Sequence, residues 1–140
     1  MFIAKYRPIL FEMRAAFLRR AVARYYEGEG ASYFPKGGIR CGKCYIDGEV
    51  KFKVWRMAVE LKSDRDDVLR GLGQLLEALA HGYDMALLVT SQGRAEKLEV
   101  KVFEATGIGL AAVNSRGELK MIIEPKITRL CGEAYSLDVS

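Results

Sequence analysis

The chain has 140 residues, 50% of them hydrophobic, which suits one compact domain with a real core. No apolar run approaches the roughly 18 residues that cross a bilayer, and the stretch from Met1 to Arg24 alternates apolar with basic residues, so the sequence excludes a spanning helix and a secretory signal and points to the cytoplasm. The net charge is +4, with Lys5, Arg7, Arg14, Arg19, Arg20 and Arg24 gathered in the first quarter, a pattern that favours a polyanionic partner.

Pro8 suits the first turn of a helix. From there to about Tyr26, Leu10, Met13, Phe17, Leu18, Ala21, Val22 and Tyr25 fall on one face at helical spacing, with Glu12 and Arg19 on the opposite side. Gly28 and Gly30 end the helix, and the loop through Pro35, Gly37 and Gly38 is too punctuated for regular structure. Next come strand patterns over Ile39–Ile46, Glu49–Val54 and Met57–Lys62. Asp47-Gly48 reads as a hairpin turn between the first two, and Trp55-Arg56 as a tight connection before the third. The apolar start of the third strand predicts a central position.

A helix follows from about Arg65 to His81, opened by Ser63-Asp64 and closed by Gly82, with Val68, Leu69, Leu72, Leu75, Leu76 and Leu79 on one stripe. Met85–Thr90 reads as a buried strand, which makes a parallel pair with the strand before the helix through a right-handed crossover. A second crossover helix is expected over Arg94–Ala105. Leu110–Asn114 and Leu119–Glu124 then form a hairpin around Ser115-Arg116-Gly117. The order predicts a single α/β domain with a mixed sheet: a core of helix, three-strand meander, helix and strand, flanked by a further helix and a C-terminal hairpin.

The stretch Met57-Ala58-Val59-Glu60-Leu61-Lys62 carries the chemistry. A strand has a side-chain period of two, so Glu60 and Lys62 share a face. Charged residues seldom enter a central strand unless they are paired or hold a metal. The pattern Glu-x-Lys is itself common here, at Glu49, Glu60, Glu99, Glu118 and Glu124. Context selects the one at Glu60, which has strands before it and an amphipathic helix and a buried strand after it. Asp47 lies thirteen residues upstream. Two carboxylates and an ammonium so gathered suit a divalent-metal site for phosphodiester hydrolysis, because Mg2+ takes oxygen ligands and needs few from protein. The backbone carbonyl of Leu61 is a natural further ligand. Flanked by carboxylates, Lys62 suits an electrostatic role better than that of a general base.

That order of elements, with Glu60-Leu61-Lys62 ending the third strand, resembles the PD-(D/E)xK nuclease superfamily, the restriction-endonuclease-like fold, over about Glu12 to Thr90. The resemblance implies that Asp47 and Glu60 bind Mg2+ or Mn2+ and that Lys62 assists the attacking water. It further implies a role for Gln74, matching a Gln of the following helix, and for Glu12, matching an acid of the first helix. Ile46 stands where the family has Pro before the Asp, and Glu49 is the substitute if Asp47 is only a turn residue. The chain's length is similar to that of archaeal Holliday-junction resolvases, which implies structure-specific DNA cleavage by a homodimer.

Two other readings stay open. One is a non-catalytic nucleic-acid-binding protein on the same scaffold. The other is a zinc-dependent interaction module built on Cys41 and Cys44, which have the spacing of half a zinc knuckle, with Cys131 and His81 as the remaining donors. Amides are scarce, at Asn114, Gln74 and Gln92, while charge is abundant, a balance that leans towards a thermophilic source.

Overall fold

The structure is a computed structural model that describes residues 14–34 and 38–128, with the backbone alone at Cys44. In chain order the elements are α1 (Ala15–Glu27), β1 (Ser32–Phe34), β2 (Ile39–Cys41), β3 (Cys44–Ile46), β4 (Gly48–Lys51), β5 (Arg56–Lys62), α2 (Val68–Ala80), β6 (Met85–Ser91), α3 (Gln92–Ala95), α4 (Val100–Thr106), β7 (Gly109–Val113) and β8 (Leu119–Ile123). The main sheet has the order β1-β4-β5-β6-β7-β8, and β2 pairs with β3 in a separate hairpin. Strands β5, β6 and β7 run parallel; β4 and β1 extend one edge antiparallel, and β8 the other. The core is therefore helix (α1), three-strand meander (β1, β4, β5), helix (α2) and strand (β6), a mixed α/β arrangement.

The parallel strands are apolar without alternation because a helix covers each face of the sheet. On one face, Leu18, Val22 and Tyr26 of α1 pack against Val59, Leu61, Leu87 and Val89. On the other, Leu72, Leu75 and Leu79 of α2 pack against Ala58, Ala86 and Leu88. Strand parity thus places Glu60 and Lys62 with Ala58 on the α2 face. The stripe of α2 differs from the expected one: Leu69 and Leu76 are 75% and 40% exposed. The buried line is Val68, Gly71, Leu72, Leu75, Ala78 and Leu79, in which small residues let the helix lie close to the sheet. Its cap is Asp67, whose side chain accepts from the Leu69 and Arg70 amides. Ser63 makes a separate turn instead, donating its amide and hydroxyl to Asp66 Oδ2 at 2.8 and 2.9 Å.

Three local expectations give way. The sequence read as one strand from Ile39 to Ile46 is a hairpin, turned at Gly42 (φ +64°) and pairing Cys41 with Cys44. Asp47 is consequently no hairpin turn but a bend between β3 and β4. The turn lies between β4 and β5, closed by the Phe52 amide on Trp55 O at 2.8 Å, and Val54 is exposed there. The first strand of the meander, β1, falls in the stretch expected to be irregular; Tyr33 is buried opposite Val50 while its neighbours face outward. The second crossover is split into α3 and α4. The C-terminal hairpin is as expected. Among the described residues, no helix is long and apolar enough to cross a membrane.

Candidate active site

The site forms where β4 begins. The ladder between β4 and β5 starts at Gly48↔Val59, so Asp47 and Glu60 stand at the next position along it. The bend at Asp47 takes the backbone off the ladder, and side chains replace the lost pairing. The Asp47 amide donates to Val59 O at 3.1 Å and to Glu60 Oε1 at 2.9 Å. The Leu61 amide in turn donates to Asp47 Oδ2 at 2.8 Å. Each carboxylate is thus held by the backbone of the other's strand. Lys62 completes the group, with Nζ 3.6 Å from Glu60 Oε2.

Burial dominates the electrostatics. Glu60 is 2% exposed, and among the described residues it is the one charged residue that is fully buried. Desolvation pushes its carboxyl up to about 7, and the Asp47 charge pushes the same way. The Lys62 charge and the Asp47 amide pull it back only in part. An additional positive charge at this point would relieve the carboxylate. Lys62 itself is threaded over Gly71: a Cβ there would lie 2.6 Å from Lys62 Cε and 3.4 Å from its Cγ. The end of β5 is fixed by Thr90 Oγ1, which donates to Lys62 O at 2.6 Å.

Of the residues singled out by sequence, the structure brings Asp47, Glu60, Leu61 and Lys62 together. Gln74 lies one helical turn beyond Gly71 on α2, with a buried Oε1 that has no hydrogen-bond partner. Glu49 is engaged elsewhere, as the acceptor of the Tyr83 hydroxyl and 3.9 Å from Arg56. Glu12 lies outside the described residues. Leu61 contributes its amide to Asp47, as above. His81 caps the end of α2 and faces Glu77 at 3.2 Å. Cys41 is buried in the hairpin, and Cys131 lies outside the described residues. Among the described residues, no group of three or more His, Cys, Asp or Glu side chains is arranged to hold a metal ion.

Two neighbours escaped the sequence reading. Arg19, expected on the solvent side of α1, is half-buried, and its Nε is enclosed without a hydrogen-bond partner. Tyr33 is 6% exposed, and its enclosed hydroxyl lies beside the Arg19 guanidinium. Its ring lies against Gly48, where a Cβ would fall 2.5 Å from the hydroxyl oxygen. Desolvation raises the Tyr33 phenol to about 12; the Arg19 charge and a side-chain hydrogen bond from Arg19 oppose that shift, while Asp47 and Glu60 add to it. No periodicity could have found these residues. The one sequence signal was Gly48 beside Asp47, a glycine that makes room for a ring.

No protein-family model matches this chain, and no curated protein matches it. Solved structures share its fold. A protein of unknown function from Silicibacter pomeroyi, SPO1766, is similar with a TM-score of 0.65 and 15% identity, over 91% of this chain and 82% of that one. The protein of unknown function AF1548 is similar with a TM-score of 0.52 and 19% identity, over 72% of this chain and 58% of that one. SfsA of Pyrococcus furiosus, in complex with Ca2+, gives a TM-score of 0.42 at 16% identity, over 81% and 62%.

Proposed function

We propose that this chain is a divalent-metal-dependent hydrolase of DNA phosphodiesters, an endonuclease of PD-(D/E)xK type acting on a DNA structure as a homodimer. One observation carries the reading: a charged pair, Glu60 and Lys62, sits at the buried end of a central strand and is tied to Asp47. Such a pair is costly to bury and rarely repaid by stability alone. The donor set fits Mg2+ or Mn2+. It offers hard oxygens, and Glu60 is short of countercharge. Asp47 and Glu60 would hold the ion, with the Leu61 carbonyl beside them and Glu12 as the acid from the first helix.

The bound ion supplies polarisation of a phosphoryl oxygen and acidification of water. The protein's residues do the rest. The Lys62 ammonium donates to the attacking water and offsets the negative charge that grows as it adds to phosphorus. Threading over Gly71 fixes that ammonium beside Glu60. The Gln74 amide, buried with its oxygen unpartnered, hydrogen-bonds the water or a phosphate oxygen. The basic residues of the N-terminal quarter contact backbone phosphates without reading sequence.

Incubation of the purified protein with branched and with linear DNA, in Mg2+ or Mn2+ against EDTA, tests this. Metal-dependent strand cleavage should appear in the wild type and fall by at least about a hundredfold in Glu60→Gln and in Lys62→Met. Retention of cleavage in either variant sinks the assignment. Salt-sensitive binding with no cleavage under any divalent ion would favour the non-catalytic reading.

A further inference from the structure

Helix α2 carries two apolar lines, and the sheet covers one of them. The second runs along the outer side of the helix through Leu69, Gly73, Leu76 and Ala80, all exposed, with the two leucines at 75% and 40%. Their spacing is that of a coiled-coil seam. Gly73 is the telling member. A glycine inside a helix weakens it relative to alanine, yet nothing lies within 4 Å of a methyl placed at this one. Gly71 makes room for Lys62, whereas no neighbour among the described residues needs the room that Gly73 leaves.

The line is complementary to itself. Laid antiparallel against a second copy about a two-fold axis, Leu69 meets Ala80 of the partner subunit and Leu76 meets Gly73 of the partner subunit. Every layer then sets a large side chain against a small one, so the helices approach closely and the leucines fill the gaps. The charges agree with that pairing. Arg70 and Glu77 stand two turns apart on one flank of the seam. Equivalent flanks adjoin in an antiparallel pair, so Arg70 faces Glu77 of the partner subunit on both sides of the axis. Arg70 makes no ion pair among the described residues, and Glu77 is held on that flank by His81 at 3.2 Å. Sizes and charges that both match themselves under one two-fold are what an isologous contact requires.

We propose that the outer face of α2 is the contact surface between two copies of this chain, packed antiparallel with Gly73 near the axis. The inference deepens the proposed homodimer and rests on that part of the reading alone, not on hydrolysis. Lys62 lies on the sheet side of the helix, against Gly71, so the contact leaves it in place.

A single helix pair belongs with the small interfaces, below about 1,200 Å2, that associate weakly, so sedimentation equilibrium of the purified chain is carried to millimolar concentration. The wild type should pass reversibly from monomer to dimer. Leu76→Lys should weaken dimerisation at least about thirtyfold, since it removes two leucines from the seam. Arg70→Glu and Glu77→Arg should each weaken it about fivefold, because both flanking pairs become like-charged. An equimolar mixture of those two variants should associate within about twofold of the wild type, since each pair is restored with its signs exchanged. A wild type that stays monomeric overturns the proposal and leaves the stripe to a different partner. So does a dimer indifferent to Leu76→Lys, or a mixture no tighter than its components. If the dimer forms as described but cleaves no DNA, the hydrolase reading falls and the contact stands. If a monomeric wild type cleaves, the contact falls and the hydrolase reading stands.

Discussion

Glu60 should make the metal-free protein less stable as pH rises through the range where most proteins are steady. Its carboxyl is raised from 4.5 to about 7 in the fold, chiefly by burial. Between those values the folded chain binds a proton that the unfolded chain has released, so stability falls with increasing pH. The change across the window is on the order of 3 kcal/mol, from the shift in pKa at about 1.4 kcal/mol per unit. It is small below the unfolded value and complete above about pH 7. Glu60→Gln isolates the effect, because the amide oxygen still accepts from the Asp47 amide while nothing titrates. Urea unfolding of both proteins in EDTA, from about pH 4 to about pH 8, gives the comparison. The two should be nearly equal at the acid end, and the variant should gain by a few kcal/mol towards neutrality. The contact of Lys62 with Glu60 works against that gain in the variant, so the pH slope is the cleaner measure. Parallel curves, within about 0.5 kcal/mol throughout, would show that Glu60 is solvated well enough to ionise normally. The account of a buried carboxylate awaiting a cation would then be wrong.

Gly71→Ala separates catalysis from folding. The added methyl meets the Lys62 side chain first, at Cε, and Leu88 Cδ1 at 3.3 Å, with no backbone atom among its nearest neighbours. A helix gains up to about 1 kcal/mol from Gly to Ala. Thermal unfolding should therefore shift by only a few degrees, while displacement of Lys62 lowers cleavage by at least about tenfold; wild-type turnover would show that the threading is incidental. Asp67→Ala should cost about 1 kcal/mol by urea unfolding, since it removes the cap that holds the first amides of α2. A null result there would mean that Ser63 and Asp66 cap the helix in its place.

Much of this arrangement was legible. The helix–meander–helix–strand order and the selection of Glu60 followed from period and length, because α2, β5 and β6 are long enough to show a pattern. Residues Ser32–Phe34, Ile39–Cys41 and Cys44–Ile46 were not, since each has only 3 residues and no period can be read from so few. Asp47-Gly48 misled for a different reason. The dipeptide favours a tight turn locally, but Gly48 is required here by the Tyr33 ring, and the turn falls instead at Phe52–Trp55. Arg19 illustrates a further limit. Its position on the wheel is outward relative to α1's apolar stripe, yet β1 rises beside the helix and encloses it. Burial of that kind depends on a strand the sequence did not display.

The turn at Phe52–Trp55 also explains why thirteen residues separate the carboxylates. A hairpin fixes the sum of paired residue numbers, and Gly48↔Val59 fixes Asp47 opposite Glu60. Had the turn slipped by one residue, Asp47 would face Val59 or Leu61, and Glu60 would have no amide to hold it. The bend is equally necessary. Were the chain to stay on the ladder through Asp47, the Asp47 carboxylate would leave the sheet's hydrogen-bonding edge and release the Leu61 amide. Register and bend together bring two like charges to one spot that repulsion and desolvation oppose. Neither improves packing in the sheet around them. A feature that is costly to the empty fold and specified by two independent local structures is most economically explained by what binds there.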